Sequence, residues 1–343
     1  MEISRHQLEK AVSADIITSS QAEALLVFLD NTNPHIPQFS LTHVLYYFGG
    51  LIAIGAMTLF MTLGWESFGG VGIMAITVIY GIVGLALTNH FAARQLQIPA
   101  GICATFVVCL TPLFIYGLQD SLGVWPADDS VYQDYHRRVQ WNWLYMELAT
   151  LAAGAIIVWK YRYPFLMMPV AVTLWYLSMD ITAMLTGGDL EWELRKLVSV
   201  YTGLLMIALA FWVDMRSVNK ADYAFWIYLF GVTAFWMGLS LQESDSELNK
   251  FLYLCTNLLL IGVGIILNRR VFAVFGALGT CGYLGHLAFD VFRDSWLFPI
   301  SLTIIGLAIV YLGIIWQRHE ADLTRSARRF LPLPLQKLLE SRE

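Results

Sequence analysis

The chain has 343 residues, of which 57% are hydrophobic and only 14% charged, whereas a soluble domain carries about 25% charged residues; this reads as one integral membrane protein, not a string of soluble domains. A formal net charge of −5, with no basic domain and no recognition motif, argues against nucleic acid as a partner. The four cysteines, Cys103, Cys109, Cys255 and Cys281, lie inside apolar runs without a CxxC pair or a histidine at zinc spacing, so no disulfide framework, metal or other cofactor is expected.

In chain order, the first 42 residues are polar and charged. They lack the pattern of a cleaved signal peptide, and the first apolar run is expected to act as an uncleaved anchor. Inside this region "ADIITSSQAEALLVFLD" carries a helix start. Thr18 is placed to cap the Gln21 N–H while the Gln21 side chain reaches back, with Ile17 and Ala22 as the flanking apolar contact. Ala22, Leu25, Leu26 and Leu29 form one stripe, against which Leu8 and Val12 of a preceding helix can pack. Residues 1–35 are therefore expected to form a cytoplasmic helical hairpin. With its "ITSSQA" turn at residues 17–22, this segment resembles a class of uncharacterised prokaryotic polytopic membrane proteins, in which such a hairpin precedes a bundle of eight or more spans. The resemblance implies that architecture and brings no assigned chemistry.

Apolar runs of about 20 residues, enough to span about 30 Å of hydrocarbon at 1.5 Å per residue, recur through residues 43–317. They fall at 43–64, 70–91, 98–118, 142–160, 164–186, 195–214, 221–241, 248–268, 271–289 and 296–317. The expected fold is thus an all-α transmembrane bundle of about ten spans, because an open sheet cannot satisfy its backbone in lipid. Pro112 and Pro169 are candidate kinks in the third and fifth spans. Residues 318–343 add a basic amphipathic tail in which Arg325, Arg328 and Arg329 precede Phe330, Leu331, Leu333 and Leu335, a composition suited to an anionic lipid surface.

Charge sets the expected orientation. Both tails and the even-numbered turns (Arg94; Lys160 and Arg162; Arg216 and Lys220; Arg269 and Arg270) hold 15 of the 21 Lys and Arg residues. Basic residues concentrate on the cytoplasmic side, so both termini are expected in the cytoplasm of a cell (inner) membrane protein. The opposite loops are acidic. The longest of them, 119–141, contains Trp125, Tyr132, Tyr135 and Trp141, as a segment lying at the lipid interface does. After the first span the chain reads as four hairpins, each turning at a basic bend and leaving at an acidic residue: Asp120, Asp180, Glu243 or Asp290. Either a duplicated two-helix unit or shared topology accounts for that likeness.

"AVFGALGTCGYLGHLAFD" in the ninth span places Ala273, Gly276, Gly279, Gly282, Gly285 and Ala288 three apart. Such small residues wind around the helix and let neighbours approach closely, so this helix is expected to be central. Depth measured from the basic bends, at 1.5 Å per residue, puts Glu147 at about 20 Å, Asp180 at about 27 Å, Asn257 at about 18 Å and His286 at about 24 Å. Asp290 lies at about 30 Å, near the interface, four residues beyond His286 on the same helix face. Ionisable groups in hydrocarbon cost about 2.5 to 3.5 kcal/mol and mark solute or proton pathways. The pathway candidates are Asp180, His286, Glu147, Asn257 and Asp290: Asp180 and Glu147 as charge or proton sites, His286 as a pH-sensitive relay, Asn257 as a neutral ligand. No Walker A, HExxH, GxSxG or nucleotide-binding loop is present in the sequence, and no enzymatic activity is expected. The leading expectation is a transporter-like protein that handles a small solute or cation through an outward-facing cavity, with membrane lipid as its surroundings. The alternative is a scaffold or sensor whose residues 1–35 bind a cytoplasmic protein.

Overall fold

The computed structural model describes residues 16–32, 41–125, 141–185, 192–216, 222–242 and 246–287, with isolated positions at 8, 12 and 13 and between 296 and 314. The tenth apolar run, the basic tail, Asp290, Tyr132 and Tyr135 fall outside the described residues or at most touch them. The described residues are helical and contain no strand. We label the helices α1 (Ser19–Thr32), α2 (Leu41–Ala93), α3 (Gln97–Cys109), α4 (Thr111–Ser121), α5 (Trp141–Tyr161), α6 (Met167–Leu185, after a 3-10 turn at Pro164–Leu166), α7 (Trp192–Arg216), α8 (Ala224–Ser240), α9 (Glu247–Leu267) and α10 (Arg270–His286). Among the described residues, six stretches are long and apolar enough to cross a membrane: Phe68–Ala93, Gln97–Ser121, Asn142–Tyr161, Pro164–Ala183, Trp192–Arg216 and Glu247–Leu267. Val44–Ala56 and Ala224–Ser240 are shorter apolar helices. The architecture is that of a multi-pass helical membrane protein.

Local chemistry explains where these helices break. α2 is interrupted at Gly69, whose φ of 60° is open to glycine and strained for other residues. The helix that restarts there is capped by the Asp120 carboxylate, which accepts from the Gly70 N–H at 2.7 Å and satisfies one of the orphan donors of a helix start. Pro112 does interrupt the third apolar run: it stands in the first turn of α4, and the chain resets at Leu110. Pro169 lies in the first turn of α6, where a missing N–H costs no intrahelical bond. At the start of α1 the Gln21 side chain accepts from the Thr18 N–H at 3.0 Å, and Thr18 Oγ1 accepts from the Gln21 N–H at 3.3 Å. Those two bonds are the reciprocal cap expected from residues 17–22.

α2 pairs with α3 and α4, α5 with α6, α7 with α8, and α9 with α10, giving four antiparallel hairpins in chain order. Three of their bends share a backbone. Gln95 (φ 61°), Arg162 (φ 56°) and Asn268 (φ 53°) are left-handed, and each is followed by one residue with ψ between 78° and 128° before the next helix starts. The Leu96 N–H reaches the Phe91 carbonyl at 3.0 Å and the Arg269 N–H reaches the Gly264 carbonyl at 2.9 Å, the six-to-one bond that closes a helix C-terminus. At Arg162 a single bond to Val158 at 2.9 Å does the same work.

The bend ends of the hairpins are stitched together. Tyr161 donates to Asn89 Oδ1 at 2.9 Å, and the Tyr223 hydroxyl donates to the Arg162 carbonyl. Arg269 is buried, donates from Nη2 to Asp214 Oδ1 at 2.8 Å and to Asp222 Oδ1 at 3.1 Å, and makes a further bond from Nη1 to Asp222 Oδ2. Its guanidinium also lies 5.3 Å from the Tyr228 ring centre. Burial opposes its charge, but the bonds and charges of Asp222 and Asp214 outweigh that and hold its pKa above the ordinary arginine value. This arginine ties α10 to the end of α7 and the start of α8.

The main apolar core lies between α6, α7, α8, α9 and α10, around Met206, Ile227, Tyr228, Val232, Leu260 and Phe272. α7 and α8 touch backbone to backbone. A Cβ on Gly203 would meet the Gly231 carbonyl at 2.7 Å and the Phe235 backbone, and one on Gly238 would meet the Lys196 carbonyl at 2.7 Å. Of the glycines in α10, Gly276 and Gly279 face α9, against Asn257 and Ile261, while Gly282 and Gly285 meet nothing within 4 Å among the described residues. The small-residue series thus opens one face of α10 to α9, and the close packing at the centre of the bundle belongs to the α7–α8 pair.

Candidate functional site

A cavity of about 590 Å³ opens between α5, α6, α7 and α8 at the end of the bundle opposite the stitched bends. Its size is that of a small-ligand site. Antiparallel pairing of the hairpins sets which side chains face it. α5 contributes Trp143, Met146, Glu147 and Thr150; α6 contributes Val172, Thr173, Trp175, Tyr176, Met179, Asp180 and Ala183. These follow the three- and four-residue spacing of one helix face. Trp192, Arg195, Lys196 and Ser199 complete the wall from α7, with Met237, Gly238 and Leu241 from α8 and Pro112 from α4.

Glu147, Asp180 and Lys196 lie about 6 to 9 Å inside their respective helix ends at 1.5 Å per residue, so they share a layer. The Glu147 and Asp180 carboxyls both line this wall, near enough to interact as like charges. Glu147 is only 9% exposed, and its Oε2 is buried without a hydrogen-bond donor among the described residues. Neighbouring carboxylates repel one another, and a proton or a cation relieves that repulsion, so this part of the wall favours positive charge.

The other polar groups of the wall are largely committed. Lys196, 3% exposed, donates to Glu193 Oε1 at 2.5 Å. Ser199 Oγ donates to the Ala234 carbonyl at 2.9 Å and accepts from Trp175 Nε1 at 3.3 Å, tying α6, α7 and α8 together under the cavity. Thr150 is satisfied by the Met146 carbonyl at 2.7 Å. Behind the wall, Trp125 packs edge-on against Tyr116 at 4.8 Å and tilts against Trp143 at 6.4 Å. Trp125 is buried. The sequence reading that set it at the lipid interface is corrected here: the chain folds back after α4, so the indole buries its apolar area among Tyr116, Met146 and Trp143. Among the described residues no group of three His, Cys, Asp or Glu is arranged to hold a metal ion.

Of the five candidates from sequence, the structure brings together Glu147 and Asp180. Asn257 and His286 lie elsewhere, on the α9–α10 hairpin. Asn257 is fully buried; its amide donates to the Tyr253 carbonyl at 2.8 Å and accepts from Trp236 Nε1 at 3.1 Å. Its Oδ1 occupies the space that a side chain on Gly279 would take, so the amide works as a polar joint between α8, α9 and α10. His286 Nε2 sits 3.6 Å from Glu247 Oε2 at the start of α9, and Asp290 is outside the described residues. Sequence reasoning did not single out Arg195 and Lys196, or the aromatic wall of Trp143, Trp175, Tyr176 and Trp192. A signal was available: Trp192, Arg195, Lys196 and Ser199 recur at helical spacing.

No family model, curated protein or solved structure matches this chain.

Proposed function

We propose that this protein is a transporter-like, ten-span protein of the cell (inner) membrane, with both termini in the cytoplasm, and that it carries a small solute or cation through the cavity between α5 and α8. The observation that carries this reading is a carboxyl pair, buried Glu147 with half-buried Asp180, on the wall of a cavity of about 590 Å³. Burying acids in an apolar bundle is costly, and a scaffold or anchor gains nothing from it. Basic residues at the stitched bends support an orientation with the opposite, cavity-bearing end toward the outside. The pair then stands where an entering cation or proton exchanges with the outer solution. The N-terminal helix α1 is an accessory in this reading, with the partner-binding role of residues 1–35 as a separate property.

Reconstituted liposomes test the proposal. Vesicles containing the protein are incubated with a mixture of the protein amino acids, choline and potassium, washed, and their contents measured by mass spectrometry and flame photometry. At least one component is expected to accumulate above protein-free vesicles and to lose that accumulation in the Glu147→Gln/Asp180→Asn double variant. Uptake of nothing in the mixture, or uptake unchanged in the double variant, overturns the proposal.

A further inference from the structure

The charges of the cavity say more about its occupant than its size does. Lys196 is neutralised locally by Glu193, which removes it from the ligand's account. Glu147 and Asp180 face the space in depth, and so does Arg195, which has no ion-pair partner among the described residues. Arg195 lies one turn from exposed Trp192 at the start of α7, so its position is nearer the mouth than the carboxyl pair. A simple cation is repelled by this arginine and a simple anion by the acids. A molecule carrying both charges a few ångströms apart satisfies each group, and the indoles of Trp143 and Trp175 offer its body an apolar surface. The independent mark of a missing ligand group is Glu147 Oε2, buried, on the cavity wall, and without a donor.

We propose that the cavity binds a small zwitterion with an apolar body, its ammonium held by Glu147 and Asp180 and its anionic group by Arg195. This rests on the reading of the cavity as a solute site and narrows its substrate class. The ammonium supplies the donor that Glu147 Oε2 lacks, and a planar guanidinium binds a carboxylate through two parallel bonds. The same charge pattern occurs in a free amino acid and in an ethanolamine lipid headgroup.

The test varies the ligand, so that no variant has to fold differently. Purified full-length protein in phosphatidylglycerol nanodiscs is titrated calorimetrically with L-phenylalanine and L-leucine, with their methyl esters, which keep only the ammonium, and with their N-acetyl forms, which keep only the carboxylate. At least one free amino acid is expected to bind about tenfold or more tightly than either of its derivatives, the loss of one charge-assisted contact. In Arg195→Gln the advantage over the ester disappears while the ester's own affinity holds. In Asp180→Asn the advantage over the N-acetyl form disappears. Competition by phosphatidylethanolamine added to the nanodiscs supports the zwitterion and assigns its source to lipid. An ester that binds as well as its amino acid, or absence of binding by both amino acids with no phosphatidylethanolamine effect, overturns the inference. If the liposomes described above still accumulate choline or potassium, the transport reading survives that result; if they accumulate nothing, both fall.

Discussion

Replacing Arg269 with methionine is expected to destabilise the folded protein by about 3 to 5 kcal/mol, the cost of removing one partner from a buried ion pair. Methionine preserves most of the side-chain volume, so the loss is mainly electrostatic. Asp214, whose side chain is 7% exposed, keeps its carboxylate in the bundle without the guanidinium that now faces it at 2.8 Å. Asp222 is 42% exposed and turns to water at small cost. The asymmetry predicts the rescue: adding Asp214→Leu to Arg269→Met recovers most of the loss, whereas adding Asp222→Leu does not. Chemical unfolding in detergent micelles, followed by tryptophan fluorescence, measures all three. Equal stability of Arg269→Met and the parent would mean that this arginine is an ordinary anchoring charge.

Gly203→Ala is expected to cost about 1 to 3 kcal/mol as an overpacking change and to abolish ligand binding at the cavity as well. The added methyl meets the Gly231 carbonyl at 2.7 Å and the backbone of Phe235, so relief requires α7 and α8 to separate. One turn away, Ser199 reaches across the same seam to the Ala234 carbonyl at 2.9 Å and receives Trp175. Separation of the two helices breaks that joint and widens the cavity floor. Gly282→Ala provides the control. Gly282 meets nothing within 4 Å among the described residues, and alanine there is expected to leave both stability and binding unchanged within error. Unfolding titrations together with the nanodisc calorimetry separate the two positions.

Helix identity, the hairpin order and the positions of the bends were legible in the chain, because hydropathy and Lys/Arg placement are one-dimensional signals. The run predicted at 164–186 became Pro164–Leu166 plus α6, and the bends fell at Gln95, Arg162 and Asn268 beside the arginines that announced them. The site was legible in one coordinate. Counting residues from a bend gives depth, and Glu147 and Asp180, counted into one layer, both line the cavity. It gives no azimuth and no neighbour order. Asn257 and His286 share the layer but belong to a hairpin whose contacts are with α8, so packing sends them to separate positions. The ninth apolar run, expected to be central, contributes no residue to the cavity wall. Glycine spacing reports that a helix is thin, whereas Gly203, Gly231 and Gly238, too widely spaced to form a motif, mark where backbones touch. Arg269 shows the limit of charge counting. As a letter it is one more basic residue at a bend; in space it closes three helices.

In a solute carrier of this design, the space beside the carboxyl pair is hydrated and reached from outside the bundle. Thr173 lines it about 18 Å in from the end of α6. In a background with Cys103, Cys109, Cys255 and Cys281 replaced by alanine, Thr173→Cys is exposed in intact cells to a membrane-impermeant maleimide. Labelling is expected, slowed by the ligand that binds in nanodiscs. A thiol that reacts neither in intact cells nor in inverted vesicles, yet reacts fully once the protein is unfolded in dodecyl sulfate, would contradict it and leave the acids sealed in a dry core.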